Sequence, residues 1–239
     1  MAPNATQETF WSETWLQHID TYLAAPPRCG YWLETRFGLR HSVLDLAGGS
    51  CRDSRYLAAR GASAVGSDFD QKTLTYLAAR FPHSTLELRR EDAFALTLPD
   101  NSVDLSFSNG FWVYHHPDRL RVLAREQARV TRKWMVVLVH NARNKTQVET
   151  FRRAAQSDPL YDIHFFDPGE IADLVRSFEV PHKRLSVHKV GGPLDLFLYR
   201  RLGPVGNPVS GVAASVVPHL YRRQPWRQTE RVACVLELS

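Results

Sequence analysis

An apolar segment that ends in an acid and a glycine turn, residues 43–52, has the residue types of a ligand-binding loop. It reads Val-Leu-Asp-Leu-Ala-Gly-Gly-Ser-Cys-Arg and runs directly into a helical pattern at residues 53–60. A strand, a glycine turn and a helix in this order place backbone N–H groups and a helix start beside a nucleotide-like ligand. Asp68 ends the next apolar segment, 19 residues beyond Gly49. An acid at this distance is suited to accept hydrogen bonds from ribose hydroxyls.

Polar residues also stand at the ends of three further predicted strands, at Asp92, Asn109 and His140. Because the carboxyl ends of parallel strands meet at one edge of a sheet, we expect these residues to face one pocket. His115 and His116 follow the fourth strand, and a histidine can accept or donate a proton near neutral pH. Adjacent histidines point in different directions and no third ligand is near, so we expect no metal site.

The alternation of strand and helix patterns predicts the fold class, an α/β fold with a Rossmann-like, doubly wound, mostly parallel, seven-stranded sheet. N-terminal helices and a helical lid insertion complete it. The predicted strands lie near 43–47, 63–68, 85–90, 103–108, 134–140, 183–190 and 231–238. The predicted helices lie at 6–23, 30–37, 53–60, 71–80 and 119–129, with another starting at Pro168 behind the N-cap residue Asp167. A rival assignment makes residues 194–202 the seventh strand.

We interpret residues 1–239 as a single domain. It would comprise an N-terminal helical cap at 1–39, a core at 40–190, a helical insertion at 191–228 and the last strand at 229–239. The chain has 239 residues and is 44% hydrophobic, which suits one domain with a substantial core.

Composition argues against several other protein classes. No run approaches the ~18 apolar residues of a membrane span, and the first residues lack the basic start and apolar core of a signal peptide. The three cysteines, Cys29, Cys51 and Cys234, form no metal or disulfide pattern, which favours a reduced, cytoplasmic location. The net charge of +5 invites a nucleic-acid role. The arginine pairs of the sequence are scattered along the chain and are not concentrated in one tract, so we expect no nucleic acid partner.

The glycine turn resembles motif I of the class I S-adenosylmethionine (SAM) methyltransferases, commonly D-x-G-x-G-x-G. Asp45 and Gly49 match this motif, whereas Ala47 and Cys51 stand where the family usually has glycine. If Cys51 requires a glycine-like backbone angle, it should be strained. The dinucleotide fingerprint G-x-G-x-x-G is absent, which disfavours a dehydrogenase.

Later segments extend the resemblance over roughly residues 40–190. The segment Phe-Trp-Val-Tyr-His-His-Pro-Asp at 111–118 is similar to the family's segment after strand four, and residues 129–133 are similar to its helix-to-strand turn. The resemblance implies SAM as the cofactor. It also implies that Asp68 binds the ribose, Phe69 covers the adenine edge and Asp92 meets the adenine amine, with Asn109 near the sulfonium.

The resemblance thus implies a set of site residues. The implied cofactor-binding residues are Asp45, Ala47, Gly48, Gly49, Asp68, Phe69, Asp92, Ala93 and Asn109. The implied acceptor-binding residues are Trp11, Trp15, Phe111, Trp112, Tyr114, His140 and Asn141, and the candidate bases are His115 and His116. Alternatives stay open: Asp45 fixing the turn, Asp68 or Asp70 capping a helix, both histidines shaping the loop, and Trp11 with Trp15 packing in the core.

The function implied is methyl transfer from SAM to an oxygen or nitrogen of a small molecule, such as a specialised metabolite, by in-line displacement. A base is needed only where the acceptor must lose a proton. An RNA or protein methyltransferase would show a continuous basic surface leading to the pocket, and residues 109–112 lack the Asn/Asp-Pro-Pro-Tyr/Phe signature of many such relatives. A non-catalytic SAM-binding protein is a third possibility. We expect a monomer or homodimer.

Overall fold

The computed structural model describes residues 11–193, 216 and 219–238. Within these residues the strands are β1 (Ser42–Asp45), β2 (Ser63–Asp68), β3 (Glu87–Arg90), β4 (Val103–Asn109), β5 (Thr131–His140), β6 (Arg184–Val190) and β7 (Arg231–Glu237). The helices are α1 (Leu16–Ala24), α2 (Arg28–Phe37), α3 (Arg52–Ala59), α4 (Gln71–Arg80), α5 (Pro117–Val130), α6 (Lys145–Ala154) and α7 (Pro168–Arg176). A single π-helical turn, Trp11–Trp15, leads into α1.

The strands form one sheet in the order β3-β2-β1-β4-β5-β7-β6. The pairs from β3 to β5 are parallel, and β7 runs antiparallel to both β5 and β6. The chain order reverses between β1 and β4, and ligands of open α/β sheets bind at such a switch point. The predicted fold class is confirmed.

Strand β5 shows how the core sits on both faces of the sheet. Met135, Val137 and Val139 pack into the apolar cluster on one face, and Val136 and Leu138 into the cluster on the other. Side chains alternate between faces in a strand, so an uninterrupted apolar run requires cover on both sides. Each fully buried aliphatic side chain contributes roughly 1.5–3 kcal/mol.

Polar side chains set the starts of the helices behind this core. Asp70 caps α4 by accepting the backbone N–H groups of Lys72 and Thr73. Asp167 caps α7 in a capping box with Glu170, with Pro168 as the first helical residue, as predicted. These caps pair backbone donors that a helix start leaves open.

Some boundaries differ from the predictions. The fifth strand begins at Thr131 rather than residue 134, because the chain passes from α5 into β5 without a loop. The last strand forms where the pattern placed it. The rival strand at 194–202, most of the helical insertion at 191–228 and residues 6–10 of the first predicted helix lie outside the described residues. In the part of the chain that the structure does describe, no helix is long and apolar enough to cross a bilayer.

The turn between β1 and α3 has an unusual backbone. Ala47, Gly49 and Cys51 have φ angles of 51°, 54° and 45°. The left-handed region costs a side-chain-bearing residue roughly 1–2 kcal/mol, so the strain predicted at Cys51 is present. The Cys51 thiol fits against Gly48 and Gly66, where an added Cβ would lie 2.9 Å and 2.8 Å from its sulfur.

We predict that Ala47→Gly stabilises the protein by up to about 1 kcal/mol, since relief of strain exceeds the added freedom of the unfolded chain. Urea unfolding measures this. The control Ala59→Gly, in an exposed part of α3 with ordinary backbone angles, should instead lower stability by about 1 kcal/mol. Equal destabilisation by both substitutions would contradict the strain.

Candidate active site

A cavity of about 150 Å³ lies at the carboxyl ends of β1, β2, β4 and β5 and at the start of β7. Residues from every one of these strand ends line it, together with residues of α6 and of the chain at 11–24, here called the N-terminal segment. The lining residues are Trp11, Trp15, Tyr22, Asp45, Ala47, Gly48, Gly49, Ser50, Arg52, Asp53, Asp68, Phe69, Asp70, Thr73, Asn109, Gly110, Phe111, Tyr114, His140, Phe151 and Arg231.

Asp45 ends β1 beneath the glycine turn and is 3% exposed. Its Oδ2 accepts a hydrogen bond of 2.7 Å from the Ser54 hydroxyl. Burial removes water from the carboxylate and raises the pKa of Asp45 to about 8, against the effect of the Ser54 bond. The Ser54 bond ties β1 to α3 across the turn, as expected of a residue that fixes the turn.

Asp68 ends β2 opposite the glycine turn. Its Oδ2 accepts the Gly49 N–H at 2.9 Å and its Oδ1 accepts the Asp70 N–H at 3.0 Å. Burial raises the pKa of Asp68 to about 6 although these backbone donors oppose the shift. The helix cap is Asp70, so the capping role is taken and Asp68 is left facing the cavity.

A buried carboxylate on α3 orients the polar side chain at the end of β4. Asp53 accepts the Asn109 Nδ2–H at 3.0 Å and the Gly30 N–H at 2.8 Å. The Asn109 Oδ1 is buried without a hydrogen-bond partner among the described residues. Asn109 therefore offers an acceptor atom that protein groups do not use.

The N-terminal segment covers the cavity. The Trp15 indole lies so close to Gly49 that an added Cβ there would be 2.5 Å from Trp15 Cζ2. Trp11 packs edge-on against Tyr114 with ring centroids 4.8 Å apart. The Ser12 hydroxyl donates to Asp70 Oδ1 at 2.7 Å and pins the segment to the start of α4. This cover gives the cavity its apolar walls.

The far side of the cavity, beyond Asn109, is mostly aromatic. His140 ends β5 and packs against the Phe151 ring, with centroids 5.0 Å apart. Burial, together with the charge of Arg231, holds the pKa of His140 well below its usual value, so the imidazole is neutral at neutral pH. Its Nδ1 is buried and has no partner within the described chain.

Most of the predicted site residues come together here. Twelve of them line the cavity: Asp45, Ala47, Gly48, Gly49, Asp68, Phe69, Asn109, Trp11, Trp15, Phe111, Tyr114 and His140. The predicted residues outside the lining are Asp92, Ala93, Trp112, Asn141, His115 and His116.

The two candidate bases after β4 do not line the cavity. His116 has 76% of its side chain exposed and lies 3.3 Å from the Asp118 carboxylate. His115 packs edge-on against the rings of Phe94 and Phe111, and burial lowers its pKa to about 4. This placement matches the alternative in which both histidines shape the loop.

Other predicted residues have structural contacts. Asn141 is fully buried and its amide donates to the carbonyls of Trp226 and Thr229 at 2.8 Å and 2.9 Å, joining the end of β5 to the segment before β7. Trp112 lies in the core. The Asp92 carboxylate accepts the Phe94 N–H at 2.9 Å.

Sequence reasoning missed several lining residues, above all Tyr22, Asp53, Phe151 and Arg231. Asp53 follows the glycine turn directly, so its position carried a usable signal. Tyr22, Phe151 and Arg231 come from distant elements, and only the packing of those elements brings them to the cavity.

Residues 44–139 match a family model described as a methyltransferase domain, and that range contains the glycine turn, Asp68 and Asn109. The match identifies a methyltransferase domain within the chain, and the shared fold supports SAM as its cofactor. No curated protein matches the chain significantly.

Solved structures share the fold. A SAM-dependent methyltransferase from Archaeoglobus fulgidus is 16% identical, with 96% of this chain and 98% of that one covered and a TM-score of 0.60. A possible histamine N-methyltransferase from Thermotoga maritima is 12% identical, with 97% and 98% covered and a TM-score of 0.62. The Burkholderia thailandensis 1,6-didemethyltoxoflavin-N1-methyltransferase, bound to its named substrate and S-adenosylhomocysteine, is 14% identical, with 98% and 88% covered and a TM-score of 0.61.

The raised pKa of Asp45 makes the stability of the ligand-free methyltransferase depend on pH. An unfolded Asp titrates near ~3.9, so between pH ~4 and ~8 the folded protein binds more protons than the unfolded chain. Stability therefore falls as pH rises through this window. We expect Asp45→Asn to flatten the decline between pH 5 and 8 by at least about 1 kcal/mol, because one unit of pKa corresponds to about 1.4 kcal/mol. Urea unfolding at several pH values measures it, with the exposed Asp118→Asn as control. Equal slopes for Asp45→Asn and wild type would contradict it.

Proposed function

We propose that this methyltransferase transfers the methyl group of SAM to an oxygen or nitrogen of a small molecule. The observation that carries the proposal is the cavity, which joins the glycine turn and Asp68 to an aromatic compartment roofed by the N-terminal segment. An acceptor must fit beneath Trp11 and Trp15, and this favours a small molecule over a nucleic acid or a folded protein. The small molecules named for the Thermotoga and Burkholderia neighbours agree with this class of acceptor.

The half of the cavity beside the glycine turn and Asp68 would hold the cofactor. We assign the backbone of Gly48 and Gly49 to its amino acid part, Asp68 to the ribose hydroxyls and Phe69 to the adenine edge. Asp68 already lies at hydrogen-bonding distance from the turn, so ribose and turn would share one carboxylate. Asn109 Oδ1, which lacks a protein partner in the described chain, would face the methionine end.

When bound, SAM supplies a methyl group on a positively charged sulfonium, which is already an activated leaving group. The residues of this chain then contribute proximity and alignment, which are worth on the order of 7–11 kcal/mol in such reactions. Trp15 would hold the methionine end against Gly49, and Trp11 with Tyr114 would fix the acceptor's ring or chain. Their apolar surfaces exclude water from the transfer.

A proton acceptor is needed where the methylated atom carries a proton that must leave. We propose His140 for this position, because it lines the cavity on the strand next to Asn109, whereas His115 and His116 do not. Burial keeps its imidazole neutral, so one ring nitrogen retains a free lone pair at neutral pH. His140 would orient the acceptor through this nitrogen and take up the proton.

Removal of the Asp68 carboxylate should weaken the binding of S-adenosylhomocysteine by at least tenfold, because two ribose hydrogen bonds would be lost. Calorimetric titration of the Asp68→Ala variant against wild type measures this. Asp118→Ala, on the surface of α5, is the matched control and should bind like wild type. Unchanged affinity in Asp68→Ala would refute the ribose assignment.

Replacement of His140 should lower kcat by ~10²–10⁴-fold, the range of general-base contributions. The assay follows tritiated methyl from SAM into a panel of phenols and aromatic amines, with His140→Gln tested against His116→Gln. S-adenosylhomocysteine affinity should be unchanged in both, which separates catalysis from folding. Because the pKa of His140 lies well below its usual value, wild-type kcat should not fall near pH 6.5. A larger loss in His116→Gln than in His140→Gln would reverse the assignment.

A further inference from the structure

Arg231 is a positive charge on the acceptor side of the cavity that the proposed reaction leaves unused. It is the first residue of β7 and lies directly opposite His140 on β5. Residues paired across two antiparallel strands project their side chains to the same face of the sheet, about 4.5–5.5 Å apart at the Cα atoms. Arg231 and His140 therefore enter the same compartment, and both line the cavity.

The half-buried guanidinium of Arg231 lacks the partners that a cation in such a position normally has. Its Nη1 is buried without a hydrogen-bond partner, and it forms no ion pair within the described residues. The neighbouring carboxylate, Glu230, is engaged by Arg28 instead. Burial lowers the pKa of Arg231, yet an arginine stays protonated in proteins. An unpaired charge with a buried nitrogen is costly, so a ligand that supplies the opposite charge would be favoured.

Several side chains feel the charge of Arg231, among them His140 and Tyr114 in the part of the cavity assigned to the acceptor and Arg52 beside the glycine turn. The field of Arg231 lowers the pKa values of His140, Tyr22 and Tyr114, against the larger effect of burial on both tyrosines. Three strand spacings separate β7 from β1, or roughly 14 Å at about 4.8 Å each. Arg52, at the cofactor end, is occupied by the Tyr22 carbonyl at 2.9 Å and by Asp53 at 3.5 Å.

We propose that the methyl acceptor carries a carboxylate, and that Arg231 binds this group while His140 faces the nucleophilic oxygen or nitrogen. This rests on the proposed function and deepens it. The planar fork of an arginine matches a carboxylate through two parallel hydrogen bonds. Because His140 and Arg231 lie side by side, the anionic group and the methylated atom belong to one compact molecule, such as a hydroxy or amino aromatic acid.

The test uses acids matched with their neutral amides: salicylate with salicylamide, and 2-aminobenzoate with 2-aminobenzamide. Transfer of tritiated methyl from SAM is measured for each, and calorimetry measures their binding to the protein saturated with S-adenosylhomocysteine. We expect wild type to prefer the acids at least tenfold in binding or in kcat/KM. Arg231→Gln should lose that preference, Arg231→Lys should keep part of it, and the exposed Arg227→Gln should behave like wild type.

Arg231 could bind a carboxylate of the acceptor or the carboxylate of the cofactor. Binding of S-adenosylhomocysteine, which has a carboxylate, and of 5′-methylthioadenosine, which has none, distinguishes the two. Affinity for both should stay within twofold in Arg231→Gln. If that variant loses S-adenosylhomocysteine but keeps 5′-methylthioadenosine, Arg231 holds the carboxylate of the cofactor and the proposal is wrong. A wild-type enzyme that binds neither acid, or that binds and methylates the amides equally well, also overturns it. If only the amides are methylated, the proposed function stands and the role proposed for Arg231 is wrong. If no small molecule is methylated, the result counts against the proposed function. The binding of the acids then still decides the role of Arg231.

Discussion

The turn between β1 and α3 is the constraint on which the rest of the site depends. Three alternate residues, Ala47, Gly49 and Cys51, hold left-handed backbone angles. This path presents the Gly49 N–H to Asp68 and starts α3 close enough for Ser54 to reach Asp45. Two of the three residues carry a side chain, so the strain of the turn must be offset by packing, such as that of the Cys51 thiol between two glycines.

Buried polar atoms without hydrogen-bond partners in the described chain belong to several residues around the cavity that this turn borders. Trp15 Nε1, Asn109 Oδ1, His140 Nδ1 and Arg231 Nη1 are all buried without partners in the described chain, and all four residues line the cavity. Buried polar atoms are nearly always paired, and a ligand in the cavity could supply partners for these four. Burial also removes water from the carboxylates of Asp45 and Asp68, and this raises the pKa of both.

The sequence alone was sufficient for the architecture and for most of the strand-end residues that line the cavity, although Asp92 and Ala93 lie outside the lining. Strand periodicity and the acid-glycine turn are local signals, so Asp45, Gly49, Asp68 and Asn109 could be placed by their positions at strand ends. The position of a loop side chain is a tertiary property: His115 packs against Phe94 and Phe111, and neither His115 nor His116 lines the cavity. Arg231 was beyond prediction, since its importance depends on β7 pairing antiparallel beside β5.

The residues that line the cavity fall partly inside and partly outside the range matched by the family model. Residues 44–139 hold the turn, Asp68 and Asn109, whereas Trp11, Trp15, Tyr22, Phe151 and Arg231 lie outside that range. Of the groups proposed to contact the acceptor, Trp11, His140 and Arg231 thus lie outside the matched range, and Tyr114 lies within it. Residues outside that range can change in sequence while the cofactor half keeps its geometry. Solved structures share the fold at only 12–16% identity, and the proposed acceptor contacts of Trp11 and Arg231 come from the N-terminal segment and the last strand.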